Sequence, residues 1–234
     1  MINGKNVYAI IPARGGSKAI PKKNIIDFDN CPLIGHSINY AKKSNLIDEI
    51  YVSTDCKEIE NVSNQFDVNV ITRPENIAKD DSSTELTIEH VIKSQNIDSN
   101  SIIVLLQPTS PIRPKGALDQ MLRDLVKHNY DSMVSISPCH PLNWKLNSNQ
   151  LICRYNYKKR PMRQDFKEED YIYDENGSIY IFTQKLFKLE NNRLGGKIGY
   201  EVFSEEFSYQ IDTYLDLEIL KAISNYLKIK ERNV

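Results

Sequence analysis

The sequence predicts an α/β fold with a Rossmann-like, mostly parallel sheet, helices on both of its faces and a small β-rich insertion. Short apolar segments rich in Val and Ile alternate with amphipathic segments over the first 137 residues. Such alternation indicates βαβ units, whose right-handed crossovers place helices on both faces of a parallel sheet. The alternation stops at about residue 138 and resumes after residue 174, which indicates an insertion between two parts of the sheet.

The first half of the chain contains most of the strands and helices that are predicted to build the sheet. Residues 7–11 form an apolar run that ends at Pro12, which is typical of a buried strand. Further strands are predicted at residues 49–54, 68–72, 101–106 and 132–137. Apolar residues at helical spacing predict helices at residues 33–44, 57–66, 83–94 and 116–128, with Ser82 or Ser83 capping the third.

The insertion and the end of the chain complete the predicted fold. Residues 138–174 are rich in Asn, Lys, Tyr and Arg, and their short apolar pieces predict hairpin strands that form an arm. Strands at residues 177–183 and 197–203 and a helix at residues 213–227 follow. We therefore predict one domain over residues 1–234, with the arm inserted at about residues 138–174.

Composition and charge limit the kinds of partner that the protein is expected to bind. A net charge of −1 gives the whole protein no attraction to nucleic acid or to anionic membranes. The four cysteines are widely spaced and lack the paired ligands of a zinc site, so we expect reduced thiols. No run approaches the roughly 20 apolar residues of a membrane span, and the N-terminal apolar run is too short for a signal peptide. The sequence thus predicts a cytoplasmic protein with neither nucleic acid nor membrane as a partner.

A dense group of basic residues directly follows the first predicted strand, in the basic loop formed by residues 12–24 (PARGGSKAIPKKN). Its two glycines let backbone amides approach an anion, and its four cations neutralise that anion. The loop matches neither G-x-G-x-x-G nor G-x-x-x-x-G-K-[ST], which disfavours a dinucleotide site and a Walker loop. A solvated basic loop is the plain alternative. The position beyond the carboxyl end of a buried strand, where ligands bind in such sheets, favours a polyphosphate site.

Seven segments form an ordered set of motifs along nearly the whole chain. They are PARGGSKAIPKKN at residues 12–24, STD at 53–55, RPENIAKDDSST at 73–84, LLQPTSPIR at 105–113, RPMRQD at 160–165, ENGSIYIF at 175–182 and IDT at 211–213. Together they resemble the acylneuraminate cytidylyltransferases, which make CMP-activated sialic acids. The resemblance implies that a nine-carbon 2-keto acid sugar attacks the α-phosphate of CTP and releases pyrophosphate. It also implies Mg²⁺ as the cofactor and a homodimer in which the arm reaches toward the partner subunit.

The resemblance also implies roles for individual residues. The residues expected to bind the nucleotide are Ala13, Arg14, Ser17, Lys18, Lys23, Asn24, Arg73, Ser83 and Thr84. The residues expected to bind the sugar are Gln107, Lys145, Arg163, Gln164, Asn176 and Tyr180. Arg163 is the favoured partner of the sugar carboxylate, because Arg can bind a carboxylate with two hydrogen bonds. Plainer roles remain open for some of them: a helix cap for Ser83 or Thr84, and a half-buried strand aromatic for Tyr180.

Arg14, Lys23 and Asp212 are the expected catalytic residues. Asp212 follows a short apolar stretch, so its carboxylate is expected at the same sheet edge as the basic loop, where it would hold Mg²⁺. The plain alternative for Asp212 is the N-cap of the last helix.

The chain departs from the family pattern at three positions. Gln210 stands where the bacterial sialic acid enzymes carry a second acid, so one charged metal ligand is missing, although Asp216 could help through a water. Ala19 replaces a glycine of the basic loop and restricts φ there. Asp174 occupies a position that is often Arg, so one sugar-binding cation is absent. The identity of the sugar is therefore left open.

Three functional hypotheses follow from the sequence. The first is a synthetase of CMP-activated nonulosonic acids, such as sialic, legionaminic or pseudaminic acid. The second is another sugar nucleotidyltransferase, for example one that acts on a 3-deoxy-octulosonate. The third is a binding module without catalysis, because fold alone does not fix function. The presence of Arg14, Lys23 and Asp212 together favours an enzyme over a binding module.

Overall fold

The structure, a computed structural model, describes residues 1–139, 142–167 and 170–232, apart from the side chains of Arg163, Glu231 and Arg232. Its seven-stranded central sheet is built from β1 (Val7–Pro12), β4 (Glu49–Thr54), β5 (Asn69–Thr72), β6 (Ile102–Leu106), β7 (Ser132–Cys139), β10 (Ile172–Thr183) and β11 (Ile198–Val202). The strand order is β11-β7-β10-β6-β1-β4-β5. Within the sheet as described, β10 alone runs antiparallel to its neighbours β6 and β7. The mostly parallel sheet predicted from the sequence is confirmed.

Helices pack against both faces of this sheet, as the alternating pattern predicts. They are α1 (Leu33–Lys42), α2 (Lys57–Asn64), α3 (Thr84–Ser94), α4 (Ala117–Lys127), α5 (Gln184–Glu190) and α6 (Tyr214–Arg232). Buried residues of α1, α2 and α4 share one core cluster with Val7, Ala9 and Ile11, whereas α3 and α5 pack with Ile10 on the opposite face. This division follows from the two-residue period of β1, which points successive side chains to opposite faces. Helix α6 forms a third cluster with Ile20, Phe28 and Ile211.

The strand order places a topological switch point beside β1. The chain runs outward from β1 through β4 to β5, and then returns to add β6 on the other side of β1. The loops that leave the carboxyl ends of β1 and β6 therefore diverge and leave a crevice between them, which is where ligands bind in such sheets. The basic loop leaves β1 at this point, and residues 107–116 leave β6.

Two features were absent from the sequence prediction. Helix α5 has seven residues that follow β10 directly, which is too short for a helical period to stand out. A two-stranded hairpin of β2 (Asp27–Phe28) and β3 (Cys31–Pro32) also lies between the basic loop and α1. The other predicted elements are present, with ends that differ by up to about five residues.

The arm contains the predicted hairpin. Strands β8 (Trp144–Asn147) and β9 (Gln150–Cys153) pair antiparallel, and the turn residues Ser148 and Asn149 both have positive φ, as a two-residue hairpin turn of this kind requires. At its base, β7 and β10 extend beyond the sheet core, so that Ile172 pairs with Cys139. The boundary of the regular sheet therefore lies inside the predicted insertion.

Candidate active site

A cleft of about 240 Å³ opens at the carboxyl ends of β1, β5 and β6. Its walls come from the basic loop, the segment 73–83, the first turn of α3 and the loop after β6. Eight of the sequence-predicted site residues line it together: Arg14, Ser17, Lys23, Asn24, Arg73, Ser83, Thr84 and Gln107. The structure thus brings seven of the nine nucleotide candidates and one sugar candidate to a single cleft, whereas Ala13 and Lys18 do not line it.

The basic loop is held against the end of β4. The backbone N–H of Gly15 donates to Asp55 Oδ1 at 2.9 Å, and a Cβ at Gly15 would lie only 2.7 Å from Cys56 Cβ. Glycine is therefore required there by close packing. The Asn24 side chain, which is buried, donates to the backbone carbonyl of Arg14 at 2.9 Å and closes the loop on itself. These contacts fix the loop backbone, and the side chains of Arg14 and Lys23 line the cleft.

The positive-φ residue of the basic loop is Lys22, with φ of 54°. Ala19, which replaces the usual glycine, is not among the residues with positive φ, so its side chain causes no backbone strain. Lys22 faces away from the other cations and pairs with Glu58 of α2 at 2.7 Å. Lys22 therefore anchors the loop to the protein surface.

Two carboxylates pair with the cations of the basic loop at the cleft. Arg14 and Lys18 both pair with Asp80, at 2.6 Å and 2.5 Å. Those two cations keep the pKa of the Asp80 carboxyl below its usual value, first through the hydrogen bond from Lys18. Lys23 pairs instead with Asp212, its Nζ lying 2.9 Å from Oδ1. The site thus has three ion pairs on two carboxylates, and each pair includes an expected phosphate-binding cation.

Arg73 forms part of the wall between β4 and β5. It is buried, and its guanidinium donates to the carbonyl of Ser53 at 2.6 Å and to the Ser53 hydroxyl at 3.2 Å. Burial lowers the pKa of Arg73 to about 10, so the side chain stays charged at neutral pH. Ala13 lies fully buried behind this wall, and its N–H already donates to the carbonyl of Ser53.

The start of α3 forms the opposite wall. Ser83 is the N-cap residue, and its hydroxyl oxygen accepts from the N–H of Leu86 at 3.4 Å. This confirms one of the two predicted caps and leaves the Ser83 hydroxyl proton available to a ligand. Thr84 and Thr87 line the cleft one turn apart on the same helix face.

Asp212 is not the cap of the last helix. Thr213 precedes α6, and its hydroxyl and the carboxylate of Asp216 bond each other's backbone N–H groups in a reciprocal capping box. Asp216 Oδ2 also accepts from the N–H of Asp212 at 3.0 Å. Burial tends to raise the pKa of Asp216, but these hydrogen bonds outweigh it and leave the pKa lowered. The carboxylate of Asp212 is therefore free for the pair with Lys23 and remains 68% exposed.

Gln210 packs away from Asp212. Its side chain lies over Gly177, which has φ of +65° and where a Cβ would fall 2.5 Å from Gln210 Nε2. Its carbonyl oxygen accepts from Thr109 Oγ1 at 3.4 Å. Gln210 thus joins the loop after β6 to the bend in β10.

Four of the remaining sugar candidates do not line the cleft. Asn176 is buried, and its amide bonds the hydroxyls of Ser135 and Ser137 at 2.6 Å and 3.1 Å. Tyr180 is also buried and donates to Glu175 Oε2 at 2.9 Å, and burial raises its pKa to about 12. In the described part of the arm, Lys145 and Gln164 are exposed and do not line the cleft. The side chain of Arg163 lies outside the described residues.

Sequence reasoning missed two acidic residues that organise the site. Asp80 pairs with two cations, and Asp55 holds the backbone of Gly15. Both stand inside motifs that the sequence shows, RPENIAKDDSST and STD. For Asp55 the available signal was an acid directly after a strand, whereas Asp80 carried no comparable signal.

The arrangement suits a polyphosphate more than any other ligand class. Cations on a fixed loop can bind phosphate oxygens, and the exposed carboxylate of Asp212 stands beside them. Mg²⁺ fits this donor set, because it commonly binds one or two carboxylates together with substrate phosphates and keeps several waters. Among the described residues, no group of three or more His, Cys, Asp or Glu could hold a metal by itself. No helix in the described part of the chain is long and apolar enough to span a membrane.

Comparison with known proteins agrees with this geometry. The family model described as Cytidylyltransferase matches residues 8–234. The chain is 34% identical to N-acylneuraminate cytidylyltransferase B of Danio rerio over 214 residues, which are 89% of this chain and 49% of that protein. It is 37% identical over 186 residues to the CMP-N,N'-diacetyllegionaminic acid synthase of Legionella pneumophila, covering 76% of this chain and 78% of that one. It is also 30% identical to a pseudaminic acid cytidylyltransferase of Campylobacter jejuni, with 92% and 94% covered.

The chain spans about half the length of the fish relatives that it matches. Among solved structures, CMP:2-keto-3-deoxy-manno-octonic acid synthetase complexed with CTP superposes with a TM-score of 0.72 at 18% identity, covering 95% of this chain and 99% of that one. A 4-diphosphocytidyl-2C-methyl-D-erythritol synthase gives a TM-score of 0.69 at 10% identity, covering 94% and 98%. At these identities the two structures support the fold.

Proposed function

Because this chain belongs to the cytidylyltransferase family, we propose that it transfers CMP from CTP to a nine-carbon 2-keto sugar acid and releases pyrophosphate. The observation that carries the proposal is the convergence of Arg14, Lys23 and Arg73 on the cleft that also contains Gln107. The matched relatives act on N-acylneuraminate, legionaminic and pseudaminic acids by their names, which supports a nonulosonic acid as the sugar. The proposal treats residues 1–234 as one catalytic domain that carries the arm.

The two ends of the cleft divide the substrates between them. The triphosphate is assigned to the basic loop, where Arg14, Lys18 and Lys23 offset its charge. The cytosine is assigned to the start of α3, where Ser83 and Thr84 offer hydroxyl groups that can both donate and accept. The sugar is then left with the side of the cleft that holds Gln107, whose amide also donates and accepts.

Binding of the triphosphate requires the pairs at the cleft mouth to rearrange. Asp80 forms ion pairs with Arg14 and Lys18, so the phosphates must displace this carboxylate when they bind those two cations. Lys23 is only 14% exposed and can stay near its present position. Its ammonium then stabilises the negative charge that develops on the pyrophosphate as the bond to the α-phosphate breaks.

Mg²⁺ is proposed as the cofactor, with Asp212 as its protein ligand. Such an ion would stabilise the negative charge of the reacting phosphate and help to orient it. Asp212 is suited to this role because its carboxylate is exposed and free of helix capping. Gln210 packs over Gly177, so a second protein ligand from that residue is not part of the proposal.

We propose further that the enzyme is a homodimer whose arms complete each other's sites. The β8–β9 hairpin exposes Leu146 and Leu151 to 70% and 63% on one face, and apolar groups of this kind are typical of contact surfaces. Lys145 lies one residue along β8 and so points to the opposite face. Contact through the first face would leave Lys145 available to the sugar in the partner's cleft, and Arg163 and Gln164 of the arm are proposed to bind the sugar there as well. Such an enzyme is proposed to act in the cytoplasm, where thiols stay reduced.

Turnover with a panel of sugars tests the proposal. Pyrophosphate release is measured with CTP and Mg²⁺ against sialic, legionaminic and pseudaminic acids and a 3-deoxy-octulosonate, with mass spectrometry of the CMP-sugar. We expect turnover with at least one nine-carbon acid and strong preference for CTP over ATP, GTP and UTP. Turnover with the octulosonate alone would instead support a nucleotidyltransferase that acts on a 3-deoxy-octulosonate. No turnover with any sugar of the panel would contradict both hypotheses.

A further inference from the structure

Arg113, at the end of the loop that carries Gln107, is among the most buried charged residues of the protein. Only 7% of it is exposed. Its guanidinium donates to the backbone carbonyl of Gln107 at 2.8 Å, to the carbonyl of Ser178 at 3.3 Å and to the hydroxyl of Ser37 at 3.0 Å. These three acceptors belong to the loop after β6, to β10 and to α1. One side chain therefore joins three elements directly behind the cleft.

The charge of Arg113 has no carboxylate partner among the residues that the structure describes. Burial lowers its pKa to about 10, which still leaves it charged at neutral pH. The guanidinium also lies over the ring of Tyr40, 5.4 Å from its centroid. Tyr40 in turn donates to the carbonyl of Pro114 at 2.9 Å. A buried and unneutralised cation is costly, so a purely apolar core would serve stability alone at least as well.

The shape of the guanidinium explains why this position holds Arg. Its planar fork can reach three acceptors in fixed directions, whereas a Lys ammonium is a single point of charge. The same loop is tied at two further points. Ser110 Oγ bonds the carbonyl of Gly177 at 3.3 Å, and the N–H of Ile211 bonds the carbonyl of Thr109 at 2.8 Å. The loop backbone is thus fixed from both β10 and the segment that carries Asp212.

We infer that Arg113 is a positioning residue for the sugar side of the site, which fixes the backbone of Gln107 so that its amide meets the substrate in one orientation. The inference rests on the proposed function. Arg113 does not line the cleft itself, so it acts through Gln107. The triphosphate cations belong to the basic loop, which Arg113 does not contact through any hydrogen bond in the described residues.

Conservative replacement of Arg113 tests this role. Arg113→Lys keeps the charge but cannot span the three acceptors, and we expect kcat/KM for the sugar to fall about 10- to 100-fold, because small errors in position are costly to catalysis. The KM for CTP should stay within about twofold. Arg123→Lys, the same change at an exposed position of α4, is the matched control and should leave all constants unchanged. A CTP defect as large as the sugar defect would overturn the inference.

A double variant separates positioning from general damage. If the inference holds, Gln107→Ala and Arg113→Lys disturb the same interaction with the sugar. The double variant should then have about the same kcat/KM for the sugar as the slower of the two single variants. Additive losses would mean that Arg113 supports catalysis by another route, and would overturn the inference. Thermal unfolding of each variant confirms that the compared enzymes are folded.

Hydrogen exchange gives a readout that does not depend on the reaction. In the protein without substrates, the N–H of Ser110 bonds the carbonyl of Gln107, and we expect exchange across residues 107–113 to accelerate in Arg113→Lys but not in Arg123→Lys. Unchanged exchange would overturn the positioning role even if turnover with the sugar fell. The wild-type protein could fail with every sugar while exchange still accelerates in Arg113→Lys. That outcome would contradict the proposed function but would support the role of Arg113 in ordering the loop.

Discussion

Lys23 Nζ lies 2.9 Å from Asp212 Oδ1 across the cleft mouth, although 189 residues separate the two in the chain. Lys23 comes from the basic loop after β1, and Asp212 immediately precedes the cap of α6. The pair therefore joins the two groups expected to act on the triphosphate, one as a cation and one as a metal ligand. In the structure the two charges are paired with each other. A bound triphosphate would take Lys23 as its partner and a bound Mg²⁺ would take Asp212, so nucleotide and metal should bind together.

Removal of the Lys23 charge should slow the chemical step. In Lys23→Met the side chain keeps its length but loses the ammonium that is proposed to stabilise the charge developing on the departing pyrophosphate. We expect kcat to fall about 100- to 1,000-fold, with a smaller rise in the KM for CTP. Lys22→Met is the matched control, since Lys22 pairs with Glu58 outside the cleft. Steady-state pyrophosphate release measures both, and a near-normal kcat in Lys23→Met would remove that residue from the mechanism.

Asp212 and Asp216 should have separable roles. Asp212→Asn should lower Mg²⁺-dependent turnover by about 100-fold or more while leaving the free energy of unfolding nearly unchanged, because a metal ligand acts mainly on the bound phosphates. Asp216→Asn removes a capping carboxylate and should cost about 1 kcal/mol of stability with a smaller effect on turnover. Turnover against Mg²⁺ concentration and urea unfolding of both variants check this. A loss of stability in Asp212→Asn with little loss of turnover would instead give Asp212 a structural role.

The sequence could predict the site wherever residues close in the chain stay close in the fold. The basic loop, Arg73 and the start of α3 each lie beside a strong strand or helix pattern, and the cleft contains all three. The cap of α6 was less accessible to sequence reasoning. Asp212 and Thr213 are adjacent and are both good N-cap residues, so only the geometry assigns the cap to Thr213 and frees Asp212.

Relations between residues far apart in the chain were the parts that the pattern could not supply. The apolar run of β10 reads the same whether the strand is parallel or antiparallel, so its direction against β6 follows only from the structure. Likewise, nothing in the spacing of Asp80 indicates that it reaches Arg14, 66 residues away. Lys145 was expected from the family resemblance to bind the sugar, yet it lies on the exposed arm and does not line the cleft.

The arm surface should control dimerisation. Leu146→Ser together with Leu151→Ser removes the two apolar groups that face each other across β8 and β9, and we expect the dimer to dissociate to monomers. Leu189→Ser, a change at a leucine that is 80% exposed on α5, is the matched control and should stay dimeric. Sedimentation velocity measures the masses, and an unchanged dimer in the double variant would place the interface elsewhere.

Mixing of two inactive variants should show whether an arm serves the partner's site. Protomers with Asp212→Asn keep an intact arm, and protomers with Arg163→Ala keep an intact Asp212. If arms act across the dimer, mixed dimers contain one complete site, and activity should return to about a quarter of the wild-type level after subunit exchange. Arms that act within their own chain give no recovery. Pyrophosphate release before and after exchange separates the two.

The ion pair between Asp29 and Lys228 should make stability depend on acid pH. The hydrogen bond from Lys228 is the main cause that lowers the pKa of Asp29 below 3.8. A lowered folded-state pKa contributes stability that is present above the unfolded value and lost as the pH falls through the folded value. Asp29→Asn should therefore be less stable than wild type at pH 7 by about 0.5–1.5 kcal/mol, and the difference should shrink below pH 4. Urea unfolding at several pH values measures it, and a constant difference would contradict the pair's contribution.

Gly177→Ala should destabilise the protein for two separable reasons. At φ of +65° an L-residue is strained, and its Cβ would lie 2.5 Å from Gln210 Nε2. The strain alone should cost about 1–2 kcal/mol, and the contact should add to it by displacing Gln210 from Thr109. Gly4→Ala isolates the first cause, since Gly4 has φ of +72° with no atom within 4 Å of the added Cβ.

Removal of the Gln210 side chain isolates the second cause. Gln210→Ala in the Gly177→Ala background should restore the part of the loss that exceeds the Gly4→Ala value, because only the contact is relieved and the backbone strain remains. Urea unfolding of the four proteins gives the free energies. Equal losses of unfolding free energy in Gly4→Ala and Gly177→Ala would mean that the Gln210 side chain moves aside without a cost in stability. In that case Gln210 would not hold the loop after β6 against β10, and its replacement alone should leave turnover unchanged.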